Sequence, residues 1–522
     1  MTSLVRKFYK TPIFYLLIIN ILIGTFTFFH YGLSWDEPLF YEYADSLGYA
    51  YSPQEWFSND FDLENSYGSS AEDHKTRGPA YLLLARGFVY VLRAIGSDEA
   101  SAWHLINFLF FQLGVYFLYR LASRWVRPSA AFAASAFFCY QPLLWGHAFI
   151  NPKDPSFLIF FTGAICMGFE MVDALAEKNP AFHFKLIVAA CFLGIATSIR
   201  VLGPLAGILL LVYSIATLRK KFTAHLPQLT LYVLSTILIS ISTWPFLWED
   251  PIGRFFEVVR FMSDNPTQLA VLFNGEIFRA DNMPRRYLPF MLGTTLTEPT
   301  WLLFILGIGI CIRKYFKKAM TMHGFIAILL TISWFVLPAG YVLVQQPAMY
   351  DGLRHFLFLL PPVFIISGFA FEYFGEVIKA MSWLRAGLVF LLLFPGLYGI
   401  VQLHPYEYTY YNSFIGGTSG AFRRYETDFW LTCYKEAVQK LDQQIDKPIN
   451  LYVRREAYIA AYYATENIAV KELRGALDEV QSRDYVLVNT RTNEDRSTFR
   501  DSPPVLQINR GGATFCIVKE IP

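Results

Sequence analysis

The chain has 522 residues, 54% hydrophobic, 18% aromatic and only 16% charged. Soluble domains carry roughly a quarter charged residues, so this composition excludes an ordinary soluble protein and points to a chain that crosses a membrane repeatedly. The formal net charge of +2 is uninformative in total, and what matters is how the charges are distributed; no nucleic-acid partner is expected.

Residues 12–29 carry no charge over about the length a helix needs to span a bilayer. Arg6, Lys7 and Lys10 precede this run as in a signal peptide, but it is too long for one and no small-residue cleavage site follows, so it reads as a retained signal anchor. Lys and Arg concentrate in cytoplasmic loops, which places the N-terminus inside. Directly after the run comes Ser34-Trp35-Asp36-Glu37-Pro38, where the helix leaves the membrane. Two adjacent carboxylates there, flanked by Trp35, Phe40 and Tyr41, suit chemistry on a lipid-borne substrate. Asp36 also suits the N-cap of a short helix with Glu37 and Pro38 in its first turn. The two readings are compatible, because a capped helix also holds a carboxylate still.

Residues 79–95 are apolar but interrupted by Arg86 and Arg93, and read as an interfacial amphipathic helix. With that choice, further spans fall near 101–119, 129–149, 156–174, 185–199, 203–218, 228–247, 299–312, 323–344, 355–372 and 386–403, eleven in all with the first. The same parity puts five basic loops inside: Arg120/Arg124/Arg127, Lys178/Lys185, Arg219/Lys220/Lys221, Arg313/Lys314/Lys317/Lys318 and Lys379/Arg385. The outer loops hold Asp73-His74-Lys75-Thr76-Arg77, Asn151-Pro152-Lys153-Asp154, Arg200, then Arg279, Asp281, Arg285, Arg286 and Tyr287 within 248–298, and Tyr350-Asp351-Gly352-Leu353-Arg354-His355. Each carries a cation and most pair it with a carboxylate. The positive-inside tendency would deplete such loops of cations, so they read either as local salt bridges or as a convergent anion-binding pocket.

The expected fold is a polytopic α-helical membrane protein with a small C-terminal α/β domain, divided as a membrane part over 1–403, with a first outer loop over 30–100, and an outer-face domain over 404–522. In the tail, 434–445 and 456–464 read as helices and 449–453, 485–489 and 513–518 as strands. Of six cysteines, Cys139, Cys166, Cys191 and Cys311 lie in apolar runs, while Cys433 and Cys516 lie in the tail and are able to pair in an oxidising compartment.

Transfer of a sugar from a polyprenyl phosphate needs a carboxylate to take the acceptor's proton, cations for the leaving phosphate and an apolar groove for the lipid. Asp36 is the base candidate, and Glu37 would orient the acceptor or help hold a divalent cation, although one Asp-Glu pair is too few ligands to argue a metal. Lys75, Arg77, Lys153, Arg200, Arg285, Arg286, Arg354 and His355 are candidates for the phosphate, Arg suiting it through its planar fork. Trp35, Asp154 and Tyr287 are supporting candidates. Arg200 sits between two spans with almost no loop, where an ionisable residue points to function or snorkels to headgroups. Lys153 and Asp154 equally suit an Asx turn with a local ion pair.

The ordered set Trp35-Asp36-Glu37, Lys75-Thr76-Arg77-Gly78-Pro79, Asn151-Pro152-Lys153-Asp154-Pro155, Ser198-Ile199-Arg200-Val201-Leu202-Gly203, Gly352-Leu353-Arg354-His355 with Leu360-Pro361-Pro362, and His404-Pro405-Tyr406 through Tyr410-Tyr411-Asn412 resembles the GT-C type integral-membrane glycosyltransferases. Within them it resembles the bacterial branch of the dolichyl-phosphate-mannose protein mannosyltransferase family, glycosyltransferase family 39. The resemblance implies an acidic base in the first outer loop, carried onto Asp36, an undecaprenyl- or dolichyl-phosphate sugar as donor, an inverting single displacement and eleven or more spans. Its partners would be the lipid-linked sugar and an acceptor glycan, lipid or protein at the outer face of the cell membrane. Where relatives often carry His-Pro-Pro this chain reads Arg77-Gly78-Pro79, so no histidine role transfers there. No MIR-type insertion is present. A lipid-linked sugar flippase and a non-catalytic assembly protein are the other two readings. A transporter should show repeats or interrupted spans, and an assembly protein has no need of charges in nearly every outer loop.

Overall fold

A computed structural model describes residues 11–264, 267–378 and 381–522, so Arg6, Lys7, Lys10 and Lys379 of the charge pattern lie outside the described residues. Among the described residues nine helices are long and apolar enough to cross a membrane: Pro12–His30, Glu99–Ala122, Asp154–Ala176, Phe182–Ile199, Thr223–Ser242, Pro299–Phe316, Met322–Gln345, Arg354–Val377 and Ser382–Leu403. The chain is a multi-pass membrane protein. The expected eleven spans thus become nine of full length and two shorter helices, Pro128–Cys139 and Pro204–Leu218.

The expected span 129–149 is corrected. Proline at 142 disfavours the helical conformation just before it, and the chain breaks into Pro128–Cys139 and Pro142–Ile150. The Gln141 side chain fills the break, donating to Thr297 Oγ1 at 3.0 Å and accepting from the Thr297 amide at 2.9 Å. Residues 80–94 form a helix that is not among the nine. Its two arginines are spent locally, Arg86 on the Ala44 carbonyl at 3.2 Å and Arg93 on Glu99 at 2.8 Å.

Asp154–Ala176 and Arg354–Val377 are the central helices, each with 89% of its apolar window buried, whereas Ser382–Leu403 is buried along only 17% and lies at the periphery. The charges gather at the two ends of this bundle. At one end Arg120 pairs with Glu170, Lys185 stands 3.6 Å from Glu170, Arg124 2.7 Å from Asp173, and Lys314 and Arg127 share Glu372. At the other end Asp154 pairs with Arg200. At about 1.5 Å per residue, Asp154 and Asp173 lie roughly 28 Å apart along one helix. The expected basic loops Arg120/Arg124/Arg127, Lys185 and Lys314 therefore share one end, opposite the Asp36 stretch.

The loop between Ser242 and Pro299 is more structured than its sequence suggested. It holds the helix Pro251–Asp264, a hairpin of β1 (Ala270–Phe273) and β2 (Glu276–Arg279), and the helix Tyr287–Thr294.

The C-terminal domain is a mixed five-stranded sheet. Its strands are β3 (Ile449–Val453), β4 (Ile468–Glu472), β5 (Tyr485–Asn489), β6 (Pro504–Arg510) and β7 (Ala513–Glu520), in the order β4-β3-β5-β7-β6. β3 is parallel to β4 and β5, and β7 runs antiparallel to β5 and β6. The three central strands and the helices Cys433–Asp442 and Ala457–Tyr463 fall where the hydrophobic pattern puts them. The two edge strands were not legible, since their residues are largely exposed and mixed in polarity. Cys433 and Cys516 form a disulfide across 83 residues, tying the first tail helix to β7.

Candidate functional site

Asp36 sits at the N-cap of the helix Glu37–Ala50, with Pro38 in its first turn, but its side chain makes no cap bond. The carboxylate turns instead to Arg354, whose Nη1 lies 2.6 Å from Asp36 Oδ2. The adjacent Glu37 goes the other way. It is fully buried and accepts from the Ser34 amide and the Tyr41 hydroxyl, both at 2.7 Å, with His104 Nε2 at 3.1 Å. One residue along a helical turn rotates a side chain by about 100°, which separates the two carboxylates into an open one and a buried one.

Arg354 is held at both terminal nitrogens and by two rings, while its buried Nε has no hydrogen-bond partner among the described residues. Its Nη2 donates to Asp351 at 2.9 Å, and its guanidinium lies 5.0 Å from the Trp430 ring centre and 5.1 Å from that of Tyr350. Such stacking suits the planar, weakly hydrated guanidinium. Tyr287 supports this loop from below, its hydroxyl donating to the Gly352 carbonyl at 3.3 Å. The His355 ring packs edge-on to Tyr350 with centres 4.8 Å apart.

A second group lies beside this one. Asn151 Oδ1 accepts from the amides of Lys153 and Asp154 at 3.1 and 3.0 Å, the expected Asx turn, and its Nδ2 donates to Asp154 at 2.9 Å. Asp154 pairs with Arg200 and lies in the field of His355 and Arg354. Lys153, half-buried at the helix entrance, also lies in the field of Arg77, Asp154 and Asp36. Burial first, then the Arg200 and Arg77 cations, holds its ammonium well below the usual lysine range. Lys153 and Arg77 line a small pocket with Phe40, Tyr43, Tyr81 and Ser156, and the Tyr43 hydroxyl there has no hydrogen-bond partner among the described residues. Arg77 stands 3.5 Å from Asp73 and 5.6 Å from the Phe40 ring centre.

Close backbone packing makes this meeting possible. A methyl on Gly78 would lie 1.3 Å from the Ser198 carbonyl oxygen, so Arg77-Gly78-Pro79 and Ser198-Ile199-Arg200 touch without side-chain spacing.

Asp36, Arg354, His355, Asp154, Arg200, Lys153 and Arg77 thus come together, with Trp35 at the rim. Lys75 stands aside with Glu64 and Glu72 at 2.9 and 3.1 Å. Arg285 is exposed and bonds Gln346 at 3.2 Å instead. Asp351, which the sequence placed only as an ion-pair partner, is central. Arg491 and Glu426 were not among the sequence candidates, and nothing in their local sequence singles them out. Among the described residues no three His, Cys, Asp or Glu side chains group as a metal site. The arrangement offers one open carboxylate beside several cations, which suits proton abstraction next to an anionic leaving group.

No family model matches the chain, and no curated protein matches it. Among solved structures it is similar to ArnT from Cupriavidus metallidurans in the apo state, at 13% identity and TM-score 0.49, over 96% of this chain and 97% of that one. It is similar to the oligosaccharyltransferase AglB from Archaeoglobus fulgidus in complex with an inhibitory peptide and a dolichol-phosphate, at 13% identity and TM-score 0.49, over 94% and 70% of the two chains. A third similar structure is the arabinofuranosyltransferase AftD from Mycobacteria, at 12% identity and TM-score 0.46, over 97% of this chain and 41% of that one.

Proposed function

We propose that the chain is an integral-membrane glycosyltransferase that moves a sugar from a polyprenyl-phosphate donor to an acceptor hydroxyl. The observation that carries this reading is the Asp36 carboxylate, held by Arg354 at 2.6 Å and left partly open beside Lys153, Arg200 and Arg77. In the reaction, Asp36 takes the proton of the acceptor hydroxyl as its oxygen forms a bond to the anomeric carbon. The bond from that carbon to the phosphate oxygen breaks, and the electron pair leaves with the phosphate, inverting the anomeric centre. Arg77 would neutralise the departing phosphate, whose own negative charge would favour the protonated form of Lys153 in the same pocket, with Arg200 and Arg354 setting the surrounding field. A divalent cation, if one takes part, would have to be held largely by the donor phosphate, since the protein offers few ligands.

The site would face the outside of the cell membrane, with the N-terminus in the cytoplasm. The basic cluster at the opposite end of the bundle supports this orientation, as does a disulfide in the domain on the site's side. The clustering of ion pairs at the two ends of the bundle favours an enzyme over a flippase, whose coupling groups belong near the midplane.

The test is transfer from radiolabelled polyprenyl-phosphate sugars by purified protein, with native membranes supplying acceptors. Transfer by wild type and none by Asp36→Asn, with donor binding retained, is the expected result. An active Asp36→Asn variant overturns the assignment of the base.

A further inference from the structure

The C-terminal domain grips the stretch that carries Asp36. Trp430 accepts from the Trp35 amide at 3.2 Å, and the Tyr458 hydroxyl donates to the Trp35 carbonyl at 2.7 Å. The Tyr463 hydroxyl accepts from the Leu33 amide at 2.8 Å. Lys435 donates to the Phe29 and Tyr31 carbonyls at 2.6 and 3.0 Å. Both polar groups of the Trp35 backbone, one residue before the proposed base, are therefore bonded to the tail.

A charged relay runs through the same interface. Arg491, 1% exposed, donates through Nη2 to Asp351 Oδ1 at 2.7 Å and through Nε to Glu426 at 2.8 Å. Its guanidinium lies 4.8 Å from the Trp35 ring centre. The other Asp351 oxygen receives Arg354 at 2.9 Å and the Trp430 indole at 3.3 Å, and Arg354 in turn reaches Asp36. Asp351 is fully buried at a positive φ of 56°, followed by Gly352 at 66°.

We propose that Arg491, supplied by the C-terminal domain, is a positioning residue for Asp36: by occupying one oxygen of Asp351 it leaves the other to turn the Arg354 fork toward the base. A guanidinium and a carboxylate left to themselves prefer two parallel hydrogen bonds. Without Arg491, Arg354 would close on both oxygens of Asp351 and withdraw from Asp36. The role of Asp36 as base rests on the function proposed above; the relay itself rests only on the geometry.

The test reads the relay apart from turnover. In full-length protein bearing Asp36→Cys, the alkylation rate at position 36 is followed against pH by peptide mass spectrometry. Arg354 should hold the thiol midpoint below its ordinary value of about 8.5. Adding Arg491→Met should raise that midpoint by about one pH unit. Glu426→Gln is combined with Arg491→Met in a second variant, so that no buried carboxylate is stranded and folding is preserved. An unchanged midpoint in that folded variant overturns the proposal. In the otherwise wild-type protein, Arg491→Met should lower kcat by about tenfold or more with donor KM little changed, and unchanged kcat also overturns it. If wild type transfers no sugar, the proposed function falls while the alkylation midpoint still decides the relay.

Discussion

Arg354 Nη1 stands 2.6 Å from Asp36 Oδ2 although 318 residues separate the two in the chain. The pair is uneven, with 8% of the arginine side chain exposed against 21% of the aspartate's. The cation is fixed in the protein while the carboxylate keeps a face toward solvent.

Arg354 also neutralises Asp351, which is fully buried. Asp351 would keep Arg491 and Asp36 is partly open, so Arg354→Met should lower stability by less than the roughly 3–5 kcal/mol of a buried charge left with no partner. Arg354→Lys keeps the charge but cannot span both carboxylates, and should lose less stability while still losing transfer. Thermal unfolding in detergent beside a transfer assay checks both; equal melting temperatures for wild type and Arg354→Met would contradict the pairing.

Gly78 offers a sharper steric test. Its added methyl would meet a backbone carbonyl rather than a side chain, so nothing flexible can move aside. Gly78→Ala should cost at least the roughly 1–3 kcal/mol typical of overpacking and should move Arg77 out of the pocket it lines with Lys153, removing transfer. Gly87, also on the helix Ala80–Ala94, has nothing within 4 Å of its added methyl. Gly87→Ala should therefore be stabilising by roughly 0.5–1 kcal/mol, measured in the same melting experiment.

The Glu426 carboxyl is pushed up to about 7, by burial first, with the Arg491 guanidinium opposing. The unfolded chain ionises this group near its ordinary value of about 4.3. Between those values the folded protein holds a proton that the unfolded chain has lost, so stability falls as pH rises from about 4.5 to 7 and then levels off. Glu426→Gln should flatten this part of the profile and raise the melting temperature at pH 8. A wild-type slope retained in Glu426→Gln would assign the dependence to another group.

The Cys433–Cys516 bond closes a long loop through the sheet. Replacing both cysteines with alanine should cost about 2–5 kcal/mol, read as a lower melting temperature. Wild type treated with a reductant should fall to the same temperature, while the alanine variant should not respond. Cys139, Cys166 and Cys311 are buried in the apolar helices and should contribute nothing to that difference.

Much of the architecture was legible because one physical rule sufficed for it. Long uncharged stretches must be helices in a bilayer, since their backbone groups have no other partners there. Basic loops at one end and cation-carboxylate loops at the other followed from charge alone. The central strands β3, β5 and β7 were legible as continuous apolar runs. Pro142 carried the signal that breaks 129–149, but the break needed Gln141 and Thr297 to fill it, and those lie far apart in the chain.

The sequence by itself determined the membrane class, the loop after the first span as a place for carboxylates and the set of cations in the loops on that side, because each depends on composition or local spacing. Only the tertiary structure decided that Asp36 is open and Glu37 buried, that Arg354 rather than Lys75 or Arg285 meets Asp36, and that Arg491 stands behind it. Those outcomes depend on which distant backbones approach one another, as at Gly78 and Ser198, and on which carboxylates each guanidinium can reach once they do. A charge in a loop has no partner until folding supplies one, and a buried arginine in a polar tail looks like a solvated one until the interface closes over it.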